Sequence, residues 1–474
     1  MINVIVMGIG AAYRKRRDIF EENFERIRIT GFLDNSAVKG QVLEGITVYK
    51  PDEIYKLNYD GIVISSNKYK DEMKKQLLEL GVSQEKIWDF MSLRKYCYIG
   101  EKKTYGIDKN ISFKRKNVLI ISTDMDFSGG TLVAIYAAQA LSKNGYYVRL
   151  AAPSINDKLL VEIMEMGLSV TIWPALPYMY NEDKEWVSQF NVVIVNVFQM
   201  MNCAYFISQF RPVLWWIHEV HSPWVDFYQQ TRKQFQAIDS NEWMNRRLLK
   251  VMGVSNNANY AFDFFYPNII AGTLPFGIPD EFKEHEEVIK SDKTIFAVLA
   301  GYAEFKGQDI LIDAIELLPI EMQEAIEVWF IGPSNENRTA LERKCANMGN
   351  VRFCGRLTHE EVIIRLNKID VIVCPSLIES MSMAIMEGMM FNKICIASSG
   401  TGIAEYIQNG KNGYIFENGN SISLAKCLID VIKKKGHLEK MKMLSRQTYD
   451  NYFSIEVFGK RLLENIKQLE KEDM

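Results

Sequence analysis

The sequence predicts an α/β protein of 474 residues built from three consecutive units, each a parallel sheet covered by helices. The main observation is that short apolar runs of strand length recur along the chain, each followed by a longer amphipathic stretch. The length agrees, because about 150 residues per domain is the usual prior. Apolar residues make up 48% and charged residues 24%, which is typical of a folded globular protein.

The first unit is predicted over residues 1–105. Its strand-like segments are NVIVMG, RITGFLD, GIVISS and KIWDF. The charged stretch over residues 101–116 is interpreted as a linker, because it carries charges and no apolar periodicity.

The second unit is predicted over residues 106–285 and the third over residues 286–455. Strand-like runs of the second unit are VLIIS, YVRLAAP, VTIWP, VVIVNV, PVLWWIHE and LKVMGVS, and those of the third are TIFAVLAG, VWFIG, VRFCG, VIVCPS, ICIAS and YIF. Residues 456–474 read as a final helix.

Composition excludes several classes of function. The 56 basic and 59 acidic side chains give a net charge of -3, which offers no general attraction to nucleic acid. Seven cysteines are scattered without a C-x-x-C pair, which favours free thiols in a reducing cytosol over disulfides or zinc. No apolar run reaches the roughly 18 residues that span a bilayer, so we expect a cytoplasmic protein or one peripheral to the inner membrane face.

The third unit places charged side chains after its predicted strands, where ligands bind in parallel α/β sheets. Lys306 follows TIFAVLAG by about one turn, at the point where a diphosphate needs a counter-charge. Glu379 follows VIVCPS, and Glu387 follows eight positions later. The small and short residues between the two glutamates are predicted to open a helix, whose N-terminus attracts phosphate.

These residues resemble the family-four group of retaining glycosyltransferases, also called glycosyl transferases group 1. The resemblance covers about residues 117–465 and rests on E379-SMSMAIM-E387, the continuation FNKICIASSGTGIAEYIQNGKNGYIF, and the K306-GQD loop. It implies a GT-B fold, in which two Rossmann-like domains face a cleft, here preceded by an extra small Rossmann-like domain. Two glutamates alone at this spacing are more often a solvated helix face.

The resemblance also implies roles for individual residues. Glu379 would hold donor-sugar hydroxyls, Glu387 the nucleotide ribose and Lys306 the diphosphate. The phosphate would also meet the backbone of Ser382, Met383 and Ala384, and the base would lie beside Arg356 and Leu357, which end the FCGRL segment. In the second unit the family places a Gly-Gly near the donor phosphates, which here is Gly129 and Gly130.

One position departs from the family pattern. The family commonly has an arginine that pairs with the lysine in the first loop, and this chain has Tyr302 there. Arg356 is the basic residue that could replace it.

The second unit also carries a D-x-D pattern, Asp124-x-Asp126, which single-domain transferases use to hold a metal. We discount it, because it lies at the first loop of a two-domain arrangement where a helix start already offers phosphate contacts. No metal and no cofactor are therefore expected.

A histidine ends the PVLWWI run. By the resemblance, His218 would contact the donor sugar near the reacting carbon, with His221 as the reserve candidate, whereas a structural histidine is the plain alternative. Trp215 and Trp216 are expected in the core. The nearby Trp224, Phe227 and Tyr228 could stack on sugar rings or pack a core.

The first unit has Gly8-x-Gly10 after a strand but lacks the third glycine of a dinucleotide fingerprint. It resembles the small Rossmann-like domain that precedes the left-handed helix in sugar-nucleotide acyltransferases. The resemblance makes Gly8, Gly10 and Asp34 nucleotide candidates, while a docking or dimerisation domain is the alternative. The basic run from Arg14 to Arg17 could meet phosphate or an anionic membrane surface.

The function predicted from these features is transfer of a sugar from a nucleotide diphosphate sugar to a glycan or lipid-linked glycan, with retention of anomeric configuration. Catalysis would fall to His218, Glu379 and Lys306, and surface polysaccharide assembly is the expected setting. The alternatives are an inverting transferase or epimerase of the same fold, a non-catalytic sugar-nucleotide-binding or scaffold subunit, and, least favoured, a nicotinamide dehydrogenase. Oligomeric state is not predicted.

Overall fold

The computed structural model describes residues 1–14, 17, 20–21, 25–66, 69–90, 92–93, 102–106, 116–179, 181–220, 242–282, 292–434 and 438–472. The described residues contain three sheets in which almost all neighbouring strands are parallel. The α/β class predicted from the alternation of apolar runs and amphipathic stretches is confirmed.

The first sheet has the strand order β3-β4-β2-β1-β5-β6. Its strands are β1 (Ile2–Met7), β2 (Ile27–Leu33), β3 (Val42–Leu43), β4 (Ile46–Tyr49), β5 (Gly61–Ile64) and β6 (Ile87–Asp89), and its helices are α1 (Ala11–Arg14) and α2 (Lys70–Glu79). Only the short β3–β4 pair is antiparallel. The apolar side chains of β1 from Val4 onward and those of β5 are buried, which explains why these runs are continuous rather than alternating.

The second sheet has the strand order β14-β13-β12-β11-β8-β9-β10-β7. Its strands are β7 (Lys103–Tyr105), β8 (Asn117–Ile121), β9 (Tyr147–Ala152), β10 (Ser169–Ile172), β11 (Val192–Val195), β12 (Val213–Ile217), β13 (Leu249–Gly253) and β14 (Ile270–Thr273). Its helices are α3 (Gly129–Lys143), α4 (Asp157–Glu165), α5 (Lys184–Val187), α6 (Met201–Ile207) and α7 (Asn256–Phe265). Trp215 and Trp216 on β12 are fully buried, which confirms their expected place in the core.

The predicted boundary between the first two units is wrong. β7 pairs antiparallel with β10, so residues 103–105 belong to the second sheet and not to the first unit or to a linker. Backbone pairing with β10 and the hydrogen bond between Thr104 Oγ1 and Thr171 Oγ1 (2.9 Å) hold this edge strand. The segment is too short and too charged for apolar patterning to reveal it. Residues 107–115 of the predicted linker lie outside the described residues.

The third sheet has the strand order β17-β16-β15-β18-β19-β20. Its strands are β15 (Thr294–Leu299), β16 (Ile326–Ile331), β17 (Val351–Gly355), β18 (Val371–Cys374), β19 (Ile394–Ser398) and β20 (Tyr414–Phe416). Its helices are α8 (Gln308–Glu316), α9 (Ile320–Glu324), α10 (Glu336–Lys344), α11 (His359–Lys368), α12 (Met383–Met390), α13 (Ser421–Lys433) and α14 (Glu439–Thr448).

The final helix, α15 (Ile455–Glu472), lies against the second sheet and not the third. Phe458 stacks on Trp216 of β12 with ring centroids 5.6 Å apart, and Lys250 donates to Gln468 at 2.7 Å. A π-helical turn at Tyr449–Phe453 precedes α15, and the Phe453 carbonyl accepts a hydrogen bond from Ile278 N at 2.9 Å. The C-terminal segment therefore crosses back from the third unit to the second sheet.

Two further features are the state of the cysteines and the length of the helices. The six described cysteines are free, and Cys97 lies outside the described residues. Five of the six are buried, where thiols pack as small apolar groups. Among the described residues, none of the helices combines the length and the apolar character that crossing a bilayer requires.

Candidate active site

Lys306 is held at the carboxyl end of the third sheet by a tight turn after β15. The 3₁₀ turn Glu304–Lys306 leads into Gly307, which has a φ of 64°. A Cβ on Gly307 would lie 2.1 Å from the Pro375 carbonyl oxygen, so only glycine fits this crossing of two loops. Leu377 N donates to the Phe305 carbonyl at 2.8 Å, which fastens the β15 loop to the β18 loop.

The β18 loop brings Glu379 to Lys306. Lys306 Nζ lies 3.2 Å from Glu379 Oε2, and both side chains are mostly but not fully buried. Ser376 donates its hydroxyl to the same carboxylate oxygen at 2.8 Å, and the Cys374 thiol does so at 3.4 Å. The sequence prediction that these loops converge is therefore met by a direct contact between the two charged groups.

Helix α12 begins next to this ion pair. Ser382 is its N-cap, and its hydroxyl accepts from Ile385 N at 3.4 Å. No hydrogen bond from the Met383 or Ala384 N–H group to any described residue is present, so these two donors remain available at the positive end of the helix. An anion placed there would be stabilised by both the N–H groups and Lys306.

Glu387 lies in the second turn of α12 and is half-buried. Burial raises the pKa of its carboxyl to about 7, opposed by the charge of His359 and reinforced by that of Glu281. His359 Nε2 hydrogen-bonds to Glu281 Oε2 at 2.6 Å, and this bond raises the pKa of the histidine. Burial, followed by the charge of Glu387, raises the pKa of Tyr136 on α3.

The glycine pair of the second unit forms the first turn of α3. Ser128 caps the helix by accepting from Thr131 N, and both Gly129 and Gly130 lie inside it. A Cβ on Gly129 would lie 3.5 Å from Met383 Sδ at the start of α12. The N-termini of α3 and α12 therefore approach each other across the cleft between the second and third sheets.

His218 follows β12 and is half-buried on the second-sheet side. Its Nε2 lies 3.1 Å from Asn196 Oδ1, and its ring is 4.8 Å from that of Trp216. Burial lowers the pKa of His218 to about 3, so the ring is neutral at physiological pH. The reserve candidate His221 and the aromatic residues Trp224, Phe227 and Tyr228 lie outside the described residues.

Glu219 fixes the backbone around His218. Its buried carboxylate accepts from Phe198 N at 2.9 Å and from His218 N at 3.0 Å, which ties the β11 and β12 loops together. Burial raises the pKa of Glu219 to about 7, and the backbone hydrogen bonds oppose that rise.

Tyr302, which stands where the resembling family commonly has arginine, is buried in the third-unit core. Its hydroxyl donates to the Phe330 carbonyl at 3.4 Å, and burial raises its pKa to about 12. Arg356 is exposed and makes no hydrogen bond or ion pair with any described residue, so no contact joins it to Lys306. Leu357 is half-buried against the core beneath the cleft.

In the first unit, the structure brings Gly8 and Asp34 together. Asp34 Oδ2 accepts from Ile9 N at 3.1 Å, while Oδ1 accepts from Ser36. Gly8 has a φ of 90°, whereas a Cβ on Gly10 would meet open space. The Asp34 carboxylate is thus engaged in holding the loop, and the nucleotide role of Gly8, Gly10 and Asp34 stays a prediction. Lys15 and Arg16 lie outside the described residues.

The D-x-D residues do not form a metal cluster in the structure. Asp126 Oδ1 accepts from Phe127 N at 2.8 Å and from Asn156 at 3.2 Å. Within the part of the chain that the structure describes, no group of three or more His, Cys, Asp and Glu side chains is arranged to hold a metal ion.

Sequence reasoning missed several polar residues that support the site. Asn196 is fully buried at the end of β11, and Ser376 is buried beneath Glu379. Asn257 on α7 donates to the Glu379 carbonyl at 3.2 Å and to the Gly400 carbonyl at 3.0 Å, which joins the second unit to the third. Asn196 and Ser376 each follow an apolar run, in VVIVNV and VIVCPS, but that pattern alone does not distinguish them from other polar residues at strand ends.

Comparison with protein families supports this picture for parts of the chain. Residues 279–450 match the family described as glycosyl transferases group 1, and residues 1–88 match the family described as C2185-like, N-terminal. The first match contains Lys306, Glu379 and Glu387.

Two relatives are similar over part of their length. An uncharacterized glycosyltransferase of Methanocaldococcus jannaschii is 29% identical over 130 residues, which are 27% of this chain and 36% of the relative. EpsD of Bacillus subtilis, named as a glycosyltransferase, is 29% identical over 145 residues, which are 30% of this chain and 37% of the relative. The matched segments therefore span little more than a third of these relatives.

A solved structure shares the fold. Anabaena HepE, in complex with UDP and glucose, superposes with a TM-score of 0.60 at 16% identity, over 75% of this chain and all of HepE. The two sheets facing a cleft are thus the GT-B architecture expected from the resemblance. Residues 279–450 thus match the family described as glycosyl transferases group 1, and they lie within a chain whose second and third sheets have the GT-B fold.

Proposed function

We propose that this protein is a retaining glycosyltransferase that moves a sugar from a nucleotide diphosphate sugar to a hydroxyl of a glycan or lipid-linked glycan. The observation that carries the proposal is the 3.2 Å contact between Lys306 and Glu379 beside the open N-terminus of α12. A cation, free backbone donors and a carboxylate together match a diphosphate joined to a sugar.

The diphosphate would lie between Lys306 and the first turn of α12. As the bond between the anomeric carbon and the diphosphate breaks, negative charge grows on the leaving oxygen. An ammonium group and two N–H groups already aimed at that position stabilise this charge without reorganising. Across the cleft, Gly129 and Gly130 carry no side chains, so the phosphates could approach the first turn of α3 closely.

The sugar and the ribose would each meet a carboxyl. Glu379 accepts hydroxyl hydrogen bonds from the donor sugar, and the buried Ser376 hydroxyl keeps its carboxylate in place. Glu387 receives the ribose hydroxyls, and its pKa of about 7 lets it accept or donate at physiological pH. Arg356 and Leu357 at the end of β17 would flank the base.

Retention rests on the family resemblance and on the kind of groups in the cleft. Glu379, the carboxylate assigned to the sugar, is paired with Lys306 and Ser376, which suits holding hydroxyls better than acting as a nucleophile. The acceptor hydroxyl would attack the anomeric carbon on the same face from which the diphosphate departs, and its proton would pass to the departing diphosphate oxygen as the bond from the anomeric carbon to that oxygen breaks. We propose that no metal takes part, since Lys306 and the helix N-terminus supply the positive charge.

The structural neighbour supports the donor class. Anabaena HepE is described in complexes with UDP, with UDP and glucose, and with UDP-glucose. A nucleotide diphosphate sugar is therefore the class to test first. We propose assembly of a surface polysaccharide at the cytoplasmic face of the membrane as the setting.

The decisive experiment has two steps. A thermal-shift screen of nucleotide sugars identifies the donor, because a ligand that binds the native state raises its stability. Incubating that donor with glycan acceptors, with and without EDTA, then shows by NMR whether the product keeps the donor's anomeric configuration. An inverted product would overturn retention, and loss of turnover with EDTA would overturn metal independence. Binding without transfer to any acceptor would favour a non-catalytic sugar-nucleotide subunit.

A further inference from the structure

We propose that Asn196 is a positioning residue that holds His218 in its neutral Nε2–H tautomer and leaves ring Nδ1 as a hydrogen-bond acceptor for a ligand hydroxyl. The tautomer follows from the geometry alone. The identity of the hydroxyl as one on a sugar rests on the proposed function.

The position of Asn196 is determined by the second sheet. It directly follows β11, its backbone N–H donates to the Ile121 carbonyl at 2.8 Å, and its side chain is fully buried. A buried amide must satisfy its hydrogen bonds inside the protein, so its orientation has few alternatives.

The orientation of the amide is set by a carbonyl that can only accept. Asn196 Nδ2 lies 2.9 Å from the Gly130 carbonyl oxygen and 3.5 Å from Ser122 Oγ. Exchanging the amide oxygen and nitrogen would place two oxygens without a proton 2.9 Å apart. The nitrogen therefore faces Gly130, and Oδ1 faces His218.

The tautomer of His218 follows from that orientation. Its Nε2 lies 3.1 Å from Asn196 Oδ1, which is an acceptor without a proton of its own. Nε2 must therefore carry the hydrogen for a bond to form. In a neutral ring this leaves Nδ1 as a lone pair.

The ring stays neutral because of where it lies. Burial lowers the pKa of His218 to about 3, and no neighbouring charge contributes to that shift. The ring packs against Trp216 at 4.8 Å and Phe276 at 6.4 Å. The adjacent residue Glu219 accepts hydrogen bonds from the backbone N–H groups of His218 and Phe198, so its carboxylate is turned to the backbone.

Ring Nδ1 has no hydrogen-bond partner among the residues that the structure describes. It is not among the fully buried unpaired atoms, so a ligand can reach it. It can accept an O–H but cannot donate. His218 would therefore recognise a hydroxyl of the bound sugar or acceptor and would not protonate the leaving diphosphate. The same Asn196 amide holds the Gly130 carbonyl, so one residue aligns His218 with the first turn of α3.

The tautomer can be read by long-range ¹H–¹⁵N NMR on protein labelled at histidine. The chain has five histidines, so His218→Gln assigns the signal by removing it. We expect a protonated Nε2 and an unprotonated Nδ1, unchanged from pH 5 to pH 8. An Nδ1–H tautomer, or titration of His218 between pH 6 and pH 8, would overturn the proposal.

Variants separate positioning from folding. Asn196→Ala should give mixed tautomers and lower turnover about tenfold, as expected for one lost hydrogen bond. Asn202→Ala is the matched control, because Asn202 is a buried amide of the same unit that donates to the Pro177 carbonyl at 3.0 Å without touching His218. The control should keep the wild-type tautomer, and retention of that tautomer in Asn196→Ala would contradict the proposal.

Asn196→Asp tests the acceptor role through the pH profile of turnover, which would not change if Asn196 were only structural. A carboxylate oxygen still accepts from Nε2–H, while the second oxygen replaces the amide donor to the Gly130 carbonyl, so this variant also loses that hydrogen bond. The negative charge favours the imidazolium and should raise the pKa of His218 by about 2 units. Below the new pKa, Nδ1 becomes a donor, so turnover should fall on the acid side relative to wild type. An unchanged pH profile would contradict the acceptor role. The NMR arms need no donor, so they remain decisive even if no sugar transfer is found and the proposed function fails.

Discussion

The two sides of the cleft are built from opposite kinds of interaction. On the second-sheet side, His218, Asn196 and Glu219 form a neutral or backbone-directed network that is mostly buried. On the third-sheet side, Lys306 and Glu379 form an ion pair that keeps about a fifth of each side chain accessible. The second-sheet side is held by buried hydrogen bonds whose partners cannot be replaced by water. The third-sheet side is held by a charged pair whose partners a ligand can replace.

This difference indicates that the two sides of the cleft have different roles in binding the ligand. A charged and partly accessible pair can exchange its partner for phosphate or a sugar hydroxyl when a donor enters. A buried neutral network cannot rearrange at low cost, so it serves to position a single acceptor atom. The third-sheet side would therefore supply most of the binding and charge stabilisation, and the second-sheet side would supply orientation.

Removing the charged side should have the largest effect. Lys306→Ala and Glu379→Ala are each expected to lower transfer by about 10²–10³-fold, because a preorganised group that meets developing charge or the sugar is lost. Steady-state kinetics with the donor found by screening measures this. Lys344→Ala is the control, since Lys344 is also ion-paired in the third unit, with Asp313, but lies on α10. Wild-type turnover in both variants would remove the site assignment.

Removing His218 from the second-sheet side should lower turnover less than removing Lys306 or Glu379, and it should not alter the pH dependence of turnover near pH 7. His218→Ala is expected to lower kcat/KM about 10- to 100-fold, because an acceptor that orients a ligand hydroxyl is lost. Because the pKa of His218 is about 3, any step in the kcat profile near pH 7 should come from another group and persist in the variant. A step that disappears with His218 would show that the ring is charged in the working enzyme.

Glu387 offers a stability test of the charged side. Burial raises its pKa from 4.5 to about 7, so its folded carboxyl binds a proton more tightly than its unfolded one. The stability from this group is present below pH 4.5 and is lost as pH rises through 7. Glu387→Gln should match wild type at pH 4 and exceed it at pH 8 by on the order of 1–3 kcal/mol, while raising the KM for donor.

Denaturant unfolding at the two pH values measures the difference. Glu360→Gln on α11 is the control, since Glu360 is exposed. Equal stability of Glu387→Gln and wild type at pH 8 would contradict the burial of this carboxyl.

The smallest effect is expected at Tyr302. Tyr302→Phe removes a hydroxyl whose bond to the Phe330 carbonyl is long, at 3.4 Å, so unfolding free energy should fall by less than about 1 kcal/mol. Turnover should not change, because the ring is buried in the core and not in the cleft. Calorimetry and kinetics check both, and a marked loss of turnover would place Tyr302 in the site.

The charged residues of the third-sheet side could be predicted from the sequence, whereas the buried asparagines that hold the loops of the site could not. Lys306, Glu379 and the start of α12 follow apolar strands, and parallel strands end at one edge of a sheet, so the convergence could be predicted. Asn196 and Asn257 could not be singled out, because their importance lies in the carbonyls they meet far along the chain. The edge strand Lys103–Tyr105 was missed because three residues carry no periodic signal.

By itself, the sequence determined the α/β class, the succession of strands and helices, and the charged residues at the strand ends, because these depend on local apolar patterning and on chain order. Tertiary structure alone decided which way Tyr302 faces, where the first unit ends, and how Asn196 reaches both His218 and Gly130. Those outcomes depend on contacts between segments distant in the chain, and burial removes the water that would otherwise satisfy each polar group.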